Sequence, residues 1–313
     1  MKNKDNFNVG HCELCGTKNI RLINSHYLPS FFYAKMNDIK DKNHTLNLIQ
    51  SDWTKRNMGD HQITKNMLCK YCEELLSKFG ETQFPNIALP INQRNPDLFV
   101  KLIRNLLPKT QHNLALSNID NFDNDSLYYF IISMFWRSSL NWSVNQYDKR
   151  TLQCVYPRKF IDEMKLYLQT KTPPLSFKIL VIPLLKAPYN SCSLPKESNL
   201  KGGGLYYSFN VYQYLFVLIN HNLAEEKVEG LKNGKIAYCI SEYFEYNFAH
   251  QFNRSYEESK TKGKRSLVVS WIDQKFTYGW SFAGSLQPLY FIPGNYLIKE
   301  CNISWTRNNT SSH

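Results

Sequence analysis

The chain has 313 residues, a formal net charge of +12, and 42% hydrophobic and 14% aromatic residues. That apolar content supports a real core and excludes wholesale disorder. The positive excess is spread as +3, +6 and +3 over residues 1–100, 101–200 and 201–313, so it makes no polybasic tail, and it favours a polyanion such as nucleic acid.

The chain opens on polar residues, Met1-Lys2-Asn3-Lys4, with no apolar segment of the secretory kind. Its longest apolar runs, around Tyr128–Trp136 and Ile179–Leu185, are too short to span a bilayer. A cytoplasmic protein with no membrane partner is expected. In that reducing setting its eight cysteines read as metal ligands or buried thiols.

Residues 1–90 hold two closely spaced pairs, Cys12-Glu13-Leu14-Cys15-Gly16 and Cys69-Lys70-Tyr71-Cys72-Glu73. Two thiolates separated by two residues sit on one tight knuckle and meet the same ion at a tetrahedral angle. Gly16 suits the turn in which the backbone folds back toward the sulfurs. Cys12, Cys15, Cys69 and Cys72 therefore form a four-sulfur set without an open position, most simply a structural zinc site, with redox or iron–sulfur use as the alternatives. His11 and His61 lie near the knuckles and stand second to the thiols. Cys154, Cys192, Cys239 and Cys301 are scattered singly and read as buried free thiols.

Residues 91–172 carry helical patterns. Leu98, Val100, Leu102, Ile103, Leu106 and Leu107 give one apolar face. Asp123 or Asp125 is a candidate cap for a second helix running through Tyr128, Ile131, Phe135 and Trp136 to about Trp142. A third helix is expected after Pro157, through Phe160, Met164, Leu166 and Leu168. Arg137, beside Trp136 at the end of an apolar face, is expected to pair with a buried acid or stack on an aromatic ring.

From residue 173 to 313 the pattern turns to short β-rich segments: Ser176–Leu185, Leu205–Asn210, Tyr212–Ile219, Lys235–Ile240 and Ser266–Trp271. Leu205–Asn210 and Tyr212–Ile219 read as a tight antiparallel hairpin. Gly202-Gly203-Gly204 before it is a flexible loop; no Lys-Ser/Thr follows, so it is not a phosphate-binding P-loop. Tyr206, Tyr207, Tyr212 and Tyr214 would offer a base-stacking surface, except that strand alternation sends half of them into the core. The fold class is α+β, with an N-terminal zinc module, a central helical segment and a C-terminal antiparallel β-rich domain whose role, including a protein partner, the sequence leaves open.

Between the cysteine pairs lies Ser25-His26-Tyr27-Leu28-Pro29, and Met67-Leu68 precedes the second pair. This combination resembles the zinc-stabilised treble-clef form of the HNH (His-Me finger) nucleases, over about residues 11–82. The resemblance implies a ββα-metal site in which His26 is the general base for the attacking water. Ser25 and Glu73 stand at the positions of ligands to a catalytic Mg²⁺ or Mn²⁺. Thr64 holds the spacing of the residue that orients the base, with Asn66 two places away. Ser25 is a weak ligand type, so Asp60, Glu74 or Glu81 would complete the shell. A narrower similarity, adding Leu76-Ser77, Glu81 and Phe135-Trp136-Arg137, is to bacterial HNH-like proteins in which Glu routinely replaces the last HNH residue. Those proteins look at home in antiviral defence or mobile elements. Read from the residues alone, His26 is either that base or a structural imidazole. Three functions follow: a metal-dependent HNH-like endonuclease acting on nucleic acid, DNA in preference, a zinc-scaffolded module that binds nucleic acid or protein without cutting, or a structural or regulatory protein whose β-rich half senses a ligand.

Overall fold

The computed structural model describes residues 8–32, 63–88, 123–142, 153–184, 192–200, 203–220 and 233–239, the backbone of 47–49 and 55–57, and positions 98, 101–102, 241, 243–245 and 247–248. The expected strand Ser266–Trp271 lies outside these residues, as do His61, Asp60, Cys301 and most of the Leu98–Leu107 helix. Leu98 and Leu102, from that helix, are both buried.

The N-terminal part is built on a three-stranded antiparallel sheet of β1 (Val9–Gly10), β2 (Ile20–His26) and β5 (Thr64–Cys69), in the order β1-β2-β5. Between β2 and β5 a small hairpin is formed by β3 (Asn47–Ile49) and β4 (Lys55–Asn57). Strand β5 runs without a break into helix α1 (Lys70–Leu76). A π-helical turn follows over Ser77–Glu81, closed by Thr82 N–H donating to the Ser77 carbonyl at 3.0 Å, and then the short helix α2 (Phe84–Ala88).

Helix α3 (Asn124–Ser138) is the centre of the molecule, because every residue from Leu127 to Ser138 is buried. A helix apolar all round has no solvent face to offer and must be surrounded. Asp123 caps it, accepting from the Ser126 N–H at 3.0 Å. Its buried hydroxyls are satisfied locally: Ser133 and Ser138 donate to the Phe130 and Phe135 carbonyls, each at 2.7 Å. The expected helix to Trp142 stops at Ser138, and Trp142 instead turns back to donate its indole N–H to the Arg137 carbonyl at 2.7 Å. Gly80 in the π-turn lets the two backbones touch, since a Cβ there would lie 3.0 Å from Phe130 Cα.

Helix α4 (Arg158–Thr170) begins directly after Pro157, as its sequence requires, and ends on Lys171 in the left-handed conformation at φ 61°. Beyond it lies a five-stranded sheet of β6 (Phe177–Pro183), β7 (Lys196–Asn199), β8 (Leu205–Val211), β9 (Tyr214–Asn220) and β10 (Ile236–Tyr238). The strand order is β10-β6-β9-β8-β7; β10 runs parallel to β6 and the other pairs are antiparallel. The hairpin β8–β9 is real and turns tightly through Tyr212 and Gln213. Of the glycine triplet, Gly203 and Gly204 lie between β7 and β8, with Leu200 N–H donating to the Gly204 carbonyl at 3.0 Å; Gly202 lies outside the described residues.

Both faces of this sheet are covered. On one, Phe209 packs on Phe135 of α3 and Phe177 on Phe160 of α4, with ring centroids 4.9 and 5.3 Å apart. On the other, Leu180, Ile182, Leu215 and Val217 form a second cluster with Phe244 and Phe248. Tyr206, Tyr207, Tyr212 and Tyr214 are consequently all buried, so none of them offers a stacking surface. The larger cluster runs without interruption from Cys12 and Leu14 through α3 to the first face of the sheet. Among the described residues no helix is long and apolar enough to cross a membrane.

Candidate metal centre and its acidic neighbour

The first knuckle is a tight loop after β1. Gly16 N–H donates to the Cys12 carbonyl at 2.9 Å, and Cys12 N–H to the Thr17 carbonyl at 3.0 Å. Gly16 sits at φ 77°, in the left-handed region that glycine enters without penalty, while a Cβ there would meet no atom closer than 3.9 Å. Its conformation, not its small size, is what the knuckle needs.

The second pair is placed by β5 and α1. Cys69 ends the strand and Cys72 lies in the first turn of the helix. A bulge joins the two knuckles: Ile23 pairs with Leu68 and Asn24 with Asn66, so Met67 has no partner on β2. Its carbonyl is thereby freed to accept the Glu13 N–H at 3.0 Å. From the far side, Gln169 on α4 donates to the Leu14 carbonyl at 2.6 Å.

These elements bring the four sulfurs of Cys12, Cys15, Cys69 and Cys72 within 4.8 Å of one another. A tetrahedral ion with metal–sulfur bonds of about 2.3 Å sets its sulfurs about 3.8 Å apart, so the cluster has the dimensions of a four-thiolate metal site. Cys69 N–H points at Cys12 Sγ at 3.3 Å, which favours a thiolate there. The Cys72 thiol donates to Cys12 and pulls it down to about 4, while Cys72 itself is pushed up by that same bond and by burial. Burial raises Cys69. His11 is exposed and outside the sulfur cluster. Of the single cysteines, Cys154 and Cys239 are buried and Cys192 half-buried.

Strand β2 carries Ser25 and His26 beyond the knuckle. Successive residues of a strand point to opposite faces, and the two separate accordingly. Ser25 is fully buried, and its hydroxyl donates to the Ile23 carbonyl at 3.4 Å. His26 is half-buried at the strand's end, directly across from Thr64, and makes no side-chain hydrogen bond or ion pair among the described residues. Asn66 pairs with Asn24 instead. The next residue, Tyr27, stacks on Trp142 with ring centroids 5.1 Å apart, and Trp142 in turn bonds to Arg137.

Glu73 follows Cys72 on α1 and turns toward α3. Arg137, only 1% exposed, places its Nη2 at 3.4 Å from Glu73 Oε2 and 2.5 Å from Glu81 Oε1. The π-turn makes this possible. In a plain α-helix eight residues wind through about 800°, which would leave Glu81 about 80° around from Glu73. The extra residue wound into the turn closes eight residues to about two full turns and puts both carboxylates on the face that meets Arg137. Arg137 thus pairs with acids, as its apolar setting demanded, but with two of them. Glu74, one place on, faces solvent and pairs with Lys70 at 3.7 Å.

The chain matches no protein-family model, no curated protein and no solved structure.

Proposed function

We propose that this protein is a metal-dependent endonuclease of the HNH type, cleaving phosphodiester bonds of nucleic acid, DNA in preference. In this reading residues 1–90 are a treble-clef module whose four cysteines hold a structural zinc ion. One observation carries it: the sulfur cluster ties the knuckle that leads into β2 to the first turn of α1. The strand bearing His26 and the helix bearing Glu73 therefore spring from the same ion. The sulfur–sulfur spacing suits zinc, and four thiolates close its coordination shell, so the zinc scaffolds and does not react.

His26 is the general base, taking the proton of the attacking water on an imidazole that has no competing partner among the described residues. Thr64, across the ladder from it, is in position to orient the ring. A bound Mg²⁺ or Mn²⁺ supplies charge neutralisation at the phosphate. Glu73 suits such an ion as a hard oxygen ligand, whereas Ser25 does not, since it is buried and its hydroxyl is spent on Ile23. The +12 charge supports a polyanionic substrate, and the resemblance to bacterial HNH-like proteins supports a cytoplasmic role in antiviral defence or mobile elements. The burial of Ser25 favours a second reading, a zinc-scaffolded module that binds nucleic acid or protein without cutting it.

Incubating plasmid DNA with the folded, zinc-loaded chain in Mg²⁺ or Mn²⁺ separates the two. The nuclease reading requires nicked or linear product from wild type and loss of at least a hundredfold in rate for His26→Ala. Intact plasmid that is nonetheless shifted on a gel selects the binding module.

A further inference from the structure

The Glu73–Arg137–Glu81 cluster is poorly accounted for as a structural ion pair. Nε and Nη1 of Arg137 are buried and have no hydrogen-bond partner, and Oε1 of Glu73 is likewise unmatched. Glu81 Oε1 is engaged by Arg137 Nη2 alone, in an ion pair at 2.5 Å that makes no aligned hydrogen bond. Donors and acceptors are thus orphaned side by side in a cluster of charged groups, which a ligand supplying both a cation and an anionic oxygen would satisfy. The Glu73 and Glu81 side chains are 18% and 17% exposed, with Oε1 of each buried, so the cluster lies just beneath the surface on their side.

We infer that Glu73 and Glu81 form a divalent-cation site and that Arg137 donates to an anionic oxygen bound beside that cation, a phosphate oxygen in the first instance. The charge count agrees. Two carboxylates and one guanidinium carry −1, and a divalent cation turns this to +1, which a phosphodiester monoanion neutralises. Without the cation, Arg137 Nη2 serves as the countercharge that lets two ionised carboxylates share one helix face. Glu81 then takes the ligand role that Ser25 is unsuited to fill. The inference deepens the nuclease reading and rests on it only for the identity of the anion.

The test is Mn²⁺ binding to the full-length, zinc-loaded protein, followed by calorimetry and electron paramagnetic resonance, first alone and then with inorganic phosphate. Wild type should bind one Mn²⁺ beyond its zinc, more tightly with phosphate present. Glu81→Gln and Glu73→Gln should each weaken Mn²⁺ binding at least tenfold, and the neighbouring Glu74→Gln should leave it unchanged. Arg137→Lys should keep Mn²⁺ binding within threefold and lose the phosphate enhancement. If Glu81→Gln does not fold, Glu81→Asp, which keeps the charge and shortens the arm, should still bind more weakly than wild type. Absence of Mn²⁺ binding, or binding that either Glu81 variant leaves intact, overturns the inference. Mn²⁺ binding that depends on Glu81 in a protein that cuts no DNA would refute the nuclease reading and leave this site standing; cutting without a Glu81-dependent ion does the reverse.

Discussion

Arg137 and Glu81 meet at 2.5 Å although 55 residues separate them, one on the central helix and the other in a π-turn. Their contact couples the cysteine-bearing module to the core, because Arg137 is fully enclosed by α3's packing and Glu81 ends the segment that starts at the second cysteine pair. Removing the guanidinium leaves two carboxylates facing each other with no countercharge. Arg137→Met should therefore cost about 3–5 kcal/mol in urea unfolding. The triple variant with Glu73→Gln and Glu81→Gln should recover most of that loss, since it removes the stranded charges as well. A single Arg137→Met variant as stable as wild type would show that the cluster is electrostatically idle.

Gly80 carries a prediction whose sign runs against helix propensity. In an ordinary helix Gly→Ala gains about 1 kcal/mol. Here the added methyl would sit 3.0 Å from Phe130 Cα and 3.1 Å from its nitrogen, backbone atoms that cannot rotate away. Gly80→Ala should destabilise by about 1–3 kcal/mol, measured by chemical denaturation. A stabilised variant would mean that α3 and the π-turn are not in backbone contact.

Trp142 joins the His26 segment to the Arg137 cluster by a ring stack on Tyr27 and an indole bond to the Arg137 carbonyl. Trp142→Phe keeps an aromatic ring and loses the bond, leaving the Leu140 N–H, at 3.0 Å, as the donor to the Arg137 carbonyl. It should cost about 1–2 kcal/mol and increase amide exchange at Tyr27, whose N–H is bonded to the Ile63 carbonyl at 2.9 Å. Unchanged exchange there would disconnect the two regions.

The metal should leave as pH falls. Without an ion Cys12 is held low, at about 4, by the Cys72 thiol that donates to it. Cys72 is raised by its bond to Cys12 and by burial, and Cys69 by burial, so both take up protons readily. Binding a cation must displace those protons, hence affinity rises with pH and is lost on acidification. Metal content followed by mass spectrometry should drop together with the helical signal of α1. Loss of metal with the module's amide protection intact would contradict a folding role.

Much of this was legible in the residues, for identifiable reasons. The cysteine pairs declare themselves because two-residue spacing is dictated by the geometry of a metal knuckle. Strands β6 and β10 fall within the expected segments, and β8 and β9 overrun theirs by one residue, because buried strands are continuous apolar runs. Strand β7 was missed: Lys196-Glu197-Ser198-Asn199 has no apolar alternation, as befits an edge strand that discourages further pairing. The tyrosines of β8 and β9 are all buried because the sheet is covered on both faces, whereas alternation alone anticipates one. The π-turn has no residue signature, so nothing local announces that Glu73 and Glu81 share a face. Their meeting with Arg137 depends on how α1 and the π-turn pack on α3, a relationship that exists only in three dimensions.

In the function proposed above, Cys12, Cys15, Cys69 and Cys72 hold one zinc ion that fixes β2 against α1. X-ray absorption at the zinc edge of the purified full-length chain tests it most directly. The expected result is one zinc per chain with four sulfur neighbours at about 2.3 Å, and loss of that ion in Cys69→Ser. A zinc with nitrogen or oxygen in its first shell, or a Cys69→Ser protein that retains the ion, would contradict it.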